Sequence, residues 1–248
     1  MASRTRRTRG IILGRTKLSE QDLILTILCQ GGEQVRAVAK GARKPGGRFA
    51  ARTELFCETD FLLAKGRSLD IVSEAATVNA HARLRGDLER VSAASAVCEA
   101  ARLTSFEDVG DPFLYAILSR TLAACEQADT QPRLDLVVAA YVFKVLAHAG
   151  WRPELRSCIA CGDPDYSRFS VAAGGVLCES CAREIEGAEP ITKAQVAWIA
   201  AILGSTFDQI LAAEVDAETS TYLLSLSHLW AATHLDARLR AFEFLLSV

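Results

Sequence analysis

Between residues 10 and 73, short runs rich in Ile, Val, Leu and Phe alternate with turn residues, and within each run apolar and polar positions repeat with a period of two. That is the pattern of half-buried β-strands in a small antiparallel barrel or sandwich. It predicts strands over 10–15, 23–29, 34–40, 54–64 and 69–73. Past residue 74 the period lengthens to about 3.6, with Leu84, Leu88, Val91, Ser95 and Cys98 on one stripe, which predicts an amphipathic helix over about 78–103. Asp111-Pro112 is a helix start, and Leu114, Leu118, Thr121 and Cys125 then share a core face. Pro132 opens a helix with almost no polar side until Gly150, the expected buried centre of a bundle. Thr192 and Gln195 form a capping box for a helix that turns Val196, Ile199 and Leu203 inward and stops at Gly204. Further helices are expected over about 218–233 and 237–246, with the apolar C-terminal residues packing on the bundle. The fold class is therefore α+β: a five-stranded OB-type barrel over 1–76, then a mostly helical domain over 77–248.

Charge sharpens this division. The net charge is only -2, yet residues 1–72 carry 14 Lys and Arg against 7 Asp and Glu, while residues 73–248 carry 14 against 23. A basic head on an acidic body is expected to meet a polyanion with the head and proteins with the body. The cations concentrate between residues 35 and 53, where Arg36, Lys40, Arg43, Lys44, Arg48 and Arg52 occur with three glycines and no acid. Such a loop wants phosphates, although a charge run is often only a solvated surface. In the third strand the period of two turns Val35, Ala37 and Ala39 inward and Arg36 and Lys40 outward, so strand and loop form one positive face. Arg15 and Lys17 are further candidates, and Arg4, Arg6, Arg7 and Arg9 form a basic arm of weaker ones. The barrel region has no Trp or Tyr, and its aromatics are Phe49, Phe56 and Phe61. With Phe56 and Phe61 in an apolar strand, Phe49 is the one candidate stacking platform. Binding should rest on backbone charge, with little sequence preference, tolerance of single and double strands, and steep salt dependence.

The eight cysteines divide in two. Cys158 and Cys161, in C-I-A-C, and Cys178 and Cys181, in C-E-S-C, form two short-spaced pairs with sixteen residues between them, the spacing of a structural zinc site. Four thiolates close a tetrahedron and leave no open position, so one structural Zn2+ is expected, in an insertion over about 154–188 whose own chain it folds. Phe169 and Val176-Leu177, flanking Gly174-Gly175, predict a short hairpin there. Cys29, Cys57, Cys98 and Cys125 lack partner spacing and read as small core hydrophobes. No stretch approaches the eighteen apolar residues of a membrane span, and the basic N-terminus lacks a signal-peptide core. A cytoplasmic protein with thiols rather than disulfides is expected. There is no phosphate-binding glycine motif for a nucleotide or dinucleotide, and no carboxylate cluster or nucleophile constellation, so the chain is not expected to be an enzyme. His81, His148, His228 and His234 read as packing or surface histidines.

The motifs G-I-I-L-G-R, S-E-Q-D-L-I-L-T-I-L, A-V-A-K-G-A-R-K-P-G-G-R-F, G-W-R-P-E-L-R-S-C-I-A-C-G and F-S-V-A-A-G-G-V-L-C, in this order over nearly the whole chain, resemble the bacterial recombination-mediator family RecO. That family often has Lys-Ser where this chain has Gly46-Gly47, so one loop cation is missing here. The resemblance implies an OB-fold domain followed by a helical domain with a zinc insertion. It also implies binding of ssDNA and dsDNA, annealing of complementary strands, and cooperation with RecR and the single-strand-binding protein (SSB) in loading RecA during DNA repair, in the cytoplasm at the nucleoid. The acidic, apolar-ended SSB tail should seek an apolar groove edged by cations, such as one near Arg120 or Lys144. The competing reading is a zinc-stabilised protein–protein scaffold whose basic loop is incidental.

Overall fold

The computed structural model of the protein describes residues 5–248. Its strands are β1 (Thr5–Lys17), β2 (Leu23–Cys29), β3 (Gln34–Ala39), β4 (Glu58–Ala64) and β5 (Asp70–Asn79), which close into a barrel in the order β1-β2-β3-β5-β4. Closure depends on the length of β1. Its first half pairs with β4, from Thr5 opposite Ala64 to Ile11 opposite Glu58, and its second half pairs with β2, with a register shift between Ile12 and Gly14. A bulge there bends the strand so that one chain serves two neighbours. β3 and β5 meet in parallel over two residue pairs only, Ala37 with Asp70 and Val38 with Ile71, leaving a short seam. The inward residues Ile12, Leu25, Ile27, Val35, Ala37, Phe61, Leu63 and Val72 fill the interior. Each large one contributes roughly 1.5–3 kcal/mol by leaving water.

The chain divides into two compact units, one ending at Glu126 and the other beginning at Gln127. The first holds the barrel with α1 (Leu88–Thr104) and most of α2 (Pro112–Gln127). Asp87 caps α1 by accepting from the Arg90 N–H at 2.8 Å. The β2–β3 turn lies against the segment before α2: the Gln34 N–H donates to Phe106 O at 2.8 Å, and a β-carbon on Gly32, at φ +88°, would fall 1.9 Å from the Asp111 carbonyl oxygen. Only glycine permits that approach.

In the second unit α3 (Gln131–His148) packs against α7 (Ala217–His234), α5 (Lys193–Gly204) and α6 (Phe207–Ala212). Every residue of α3 from Leu134 to Phe143 is buried, and the one acid among them, Asp135, accepts from Gln131 Nε2 at 2.6 Å. Both Thr192 with Gln195 and Thr206 with Gln209 form reciprocal capping boxes, at the starts of α5 and α6. A small sheet, β6 (Arg168–Ser170), β7 (Gly175–Leu177) and β8 (Ala188–Pro190), in the order β7-β6-β8, belongs to the cysteine-bearing insertion with the one-turn helix α4 (Glu179–Ala182). The chain ends in α8 (Arg240–Leu245).

Several expectations need correction. The helix predicted over 78–103 begins only at Leu88, because β5 runs on to Asn79 and a 3-10 turn spans Ala82–Arg85. Leu84 is fully buried, but from that turn. His81, with φ +43°, breaks the chain direction at the junction. The strand predicted over 54–64 starts at Glu58, after a 3-10 turn at Ala51–Thr53. β1 is longer than the predicted 10–15, the helix over Phe207–Ala212 was not foreseen, and the last helix is shorter than 237–246. In α5 it is Ile202 that is buried, with Leu203 half-buried. Of the apolar tail, Phe242 and Leu245 are buried while Phe244, Leu246 and Val248 stay exposed.

Candidate nucleic-acid face and metal centre

The basic loop between β3 and β4 is anchored rather than free. It crosses β5 beyond the seam, where β3 has ended and the strand edge would otherwise lack partners. There Arg48 donates to Ser73 O at 2.6 Å and Arg52 donates to Ala75 O at 3.2 Å. Ser73 is the extra residue where the β4–β5 register shifts between Leu62 and Leu63, which explains why its carbonyl needs an outside donor. The loop turns tightly at Gly46, φ +67°, and at Gly47, where a β-carbon would stand 2.6 Å from Gly41 O and 2.8 Å from Lys44 O. At the other end Gly41 N–H donates to Asp22 Oδ1 at 2.8 Å.

Two neighbouring concavities lie along the anchored loop. One, about 820 Å³, is lined by Arg7, Arg9, Arg48 and Arg52, with Asp60 and Glu74. The other, about 400 Å³, is lined by Lys40, Lys44 and Arg48 around Gly46 and Gly47. The two share Arg48 and Phe49. Lys40, Lys44, Arg48 and Arg52 are exposed and pair with no carboxylate among the described residues.

The remaining candidates fall elsewhere. Arg36 is exposed on β3, opposite Thr26 of β2, outside both concavities. Arg43 donates to Ser19 O at 3.3 Å and Glu20 O at 2.9 Å, which ties it to the β1–β2 turn, and Lys17 is exposed at the end of β1. Arg15 is ion-paired with Glu54, and Arg6 with Glu33 and Asp70. Arg9 lies directly opposite Asp60 in the β1–β4 register and grips it with two hydrogen bonds, of 2.8 and 3.0 Å; the hydrogen bonds from Arg9 hold the Asp60 carboxyl below the usual carboxylate range. Arg4 lies outside the described residues. Phe49 is not a stacking platform: only 4 % exposed, it belongs to the barrel core, with the Arg48 guanidinium carbon 4.4 Å from its ring centroid. Its place beside Arg48 in a basic, glycine-rich loop gave no sign of that burial. Asp60 and Glu74 were missed as groove residues, because strand register brings them there from far along the chain. The Lys144 ammonium donates to Leu203 O at 3.0 Å and Ser205 O at 2.7 Å, capping the end of α5.

In the second unit the sulfurs of Cys158, Cys161, Cys178 and Cys181 all lie within 4.8 Å of one another, and those of Cys161 and Cys178 are 3.8 Å apart. Four sulfurs about 2.3 Å from a central ion would be spaced about 3.8 Å apart, so the set could hold one metal ion. The first pair sits on a knuckle in which Cys158 N–H donates to Asp163 O at 2.7 Å and Gly162 N–H donates to Cys158 O at 2.8 Å. The second pair brackets the start of α4, where Ala182 N–H donates to Cys178 O at 3.0 Å. Burial opposes ionisation of Cys158, but the backbone N–H groups of Cys178, Cys161 and Ala160 outweigh it and bring the thiol down to about 6, whereas hydrogen bonds from the neighbouring sulfurs raise Cys181 and, against the backbone at Asp163, Cys161. A thiolate is the form that binds metal. Leu177, Ile185 and Ala188 pack about the cysteines, a core too small to hold this insertion alone. By contrast Cys29, Cys57, Cys98 and Cys125 are buried, and burial pushes the Cys29 thiol up to about 11.

Two family models match successive parts of the chain, with a boundary earlier than that between the compact units. Residues 1–81 match the family described as Recombination protein O N terminal, and residues 85–242 that described as Recombination protein O C terminal. Among similar curated proteins named DNA repair protein RecO, that of Desulforudis audaxviator is 30% identical over 240 residues, 96% of this chain and 95% of its own length. That of Symbiobacterium thermophilum is 32% identical over 251 residues, 95% of this chain and 94% of its own. That of Bifidobacterium longum is 40% identical over 176 residues, 70% of this chain and 73% of its own.

Proposed function

Because the chain belongs to the recombination protein O family, and so to DNA repair and recombination, we propose that it is a mediator that grips DNA strands by their phosphates along the basic side of its barrel. The observation that carries this reading is the pair of concavities, sharing Arg48, along which Lys40, Lys44, Arg48 and Arg52 stand without carboxylate partners among the described residues. Unneutralised cations beside an anchored loop meet a phosphate chain with little reordering, and each phosphate contact releases a condensed counterion. With Phe49 in the core, no aromatic side chain of the barrel is exposed for base stacking, so binding is insensitive to sequence and serves ssDNA and dsDNA alike. A cationic face that neutralises two strands at once lowers their repulsion and lets complementary bases pair without fuel. Arg36, Arg43, Arg15 and Lys17 lie outside the concavities and contribute less.

The resemblance extends the reading: with RecR, the protein helps load RecA onto ssDNA coated by SSB, whose acidic tail it binds, and it catalyses no covalent step. The four cysteines hold one Zn2+, the ion that tetrahedral thiolate sets favour; bound there it supplies only cross-links, since all four positions are filled by protein. Reversal of Lys40 and Lys44 to Glu tests the first claim and leaves the Arg48 and Arg52 anchors intact. Fluorescence anisotropy with a labelled single strand should show affinity falling by roughly a hundredfold at low salt, and the log-log salt slope shrinking by about 1 to 2. Unchanged binding would favour the scaffold reading.

A further inference from the structure

The described arginines of β1 are sorted by charge pairing. Arg6, Arg9 and Arg15 are each held by carboxylates from elsewhere in the barrel, while Arg7 is exposed and has none. Of the three held arginines only Arg9 lines the groove, together with its captor Asp60. We infer that Asp60 is an affinity-setting residue of that groove: it competes with nucleic-acid phosphate for Arg9 and keeps strand binding weaker, and quicker to release, than the groove's cations alone would make it.

A guanidinium presents a planar fork of donors that fits a carboxylate and a phosphate equally well, and Asp60 fills that fork with two bonds, 2.8 Å from Nε and 3.0 Å from Nη2. Because the residues are directly opposite in the β1–β4 register, the captor is always within reach; no loop has to move for Arg9 to be withdrawn or returned. A phosphate that displaces Asp60 from Arg9 remains beside the freed carboxylate, and Glu74 lines the same groove. Like charges at this separation shorten the life of the complex. Asp60 is half exposed, so nothing in the core requires its charge. This rests on reading the groove as the nucleic-acid face, where a mediator must hand strands on rather than keep them.

The test measures binding of a fluorescein-labelled single-stranded oligonucleotide to the full chain across a NaCl series, with Asp60→Asn, Arg9→Gln and the double variant. Asp60→Asn should bind several-fold more tightly than wild type at low salt, dissociate more slowly, and steepen the log-log slope by about 0.7, the increment of one added contact to a single strand. Adding Asp60→Asn to Arg9→Gln should bring a clearly smaller gain and no steeper slope, because only the carboxylate's repulsion is then relieved and no contact is returned. Equal binding by Asp60→Asn and wild type would overturn the inference, as would a gain of the same size in the Arg9→Gln background, which would mark Asp60 as a diffuse repulsive charge. If wild type itself shows no salt-dependent binding, the groove is not a nucleic-acid face, and both readings fall.

Discussion

Arg48 faces two ways: its guanidinium lies over the Phe49 ring and donates to Ser73 O, yet the side chain is exposed and lines both concavities. Arg48 keeps the donors that this carbonyl does not use, whereas Phe49 below is committed to the core. Phe49→Ala should therefore cost about 3–5 kcal/mol of stability in denaturant titrations, as large aromatic truncations in cores do. Phe49→Leu should keep most DNA affinity, which a stacking residue would not allow. At this scale the outward position of Arg36 was legible in the sequence, because strand alternation decides it, while Lys40 is exposed in the turn just past the end of β3. The neutralisation of Arg9 and Arg15 was not legible. Asp60 and Glu54 lie 51 and 39 residues further along, and only strand register and loop path bring them to these arginines. Phe49 was misread for a related reason: flanking polarity reports on neighbours in sequence, while burial follows the path of the loop.

Among the elements, α7 and the insertion meet through aromatic rings. Trp230 of α7 lies 5.8 Å from Phe169 of β6 and 6.0 Å from Phe143 of α3, and His234 stacks on Trp151 at 4.6 Å while meeting the edge of Trp230 at 4.2 Å. Burial lowers the pKa of His234 below its ordinary 6.5, against a smaller opposing effect of the backbone at Val171. A histidine depressed in the folded state contributes stability that is complete above pH 6.5 and is lost as pH falls through the folded value, since the unfolded chain takes up the proton first. The thermal midpoint should thus drop as pH is lowered from 7 through 6, and His234→Phe should flatten that part of the profile. The hairpin of the insertion was legible from Gly174-Gly175 between apolar runs, and the capping box from Thr192 and Gln195. The start of α1 was not, because the stripe containing Leu84 and Leu88 keeps its helical spacing across a 3-10 turn and so conceals the break at His81.

For the molecule as a whole, metal and DNA are expected to act on different compact units. Dialysis against a strong chelator should release about one zinc per chain and unfold the small β6–β8 sheet, lowering stability in proportion to the bound-ion free energy. DNA affinity measured on the same sample should stay within about twofold, because the groove belongs to the unit that ends at Glu126. A metal content of zero in protein that keeps its full structure would refute the zinc assignment. The fastening of the basic loop to the edge of β5 has a calorimetric consequence. A segment that folds only when it meets its ligand buries new apolar surface, and the heat capacity falls steeply on association. Here Phe49 is already inside before any strand arrives, so titration calorimetry at several temperatures should return a nearly flat enthalpy, the mark of a receptor that is finished in advance and recognises its ligand without refolding.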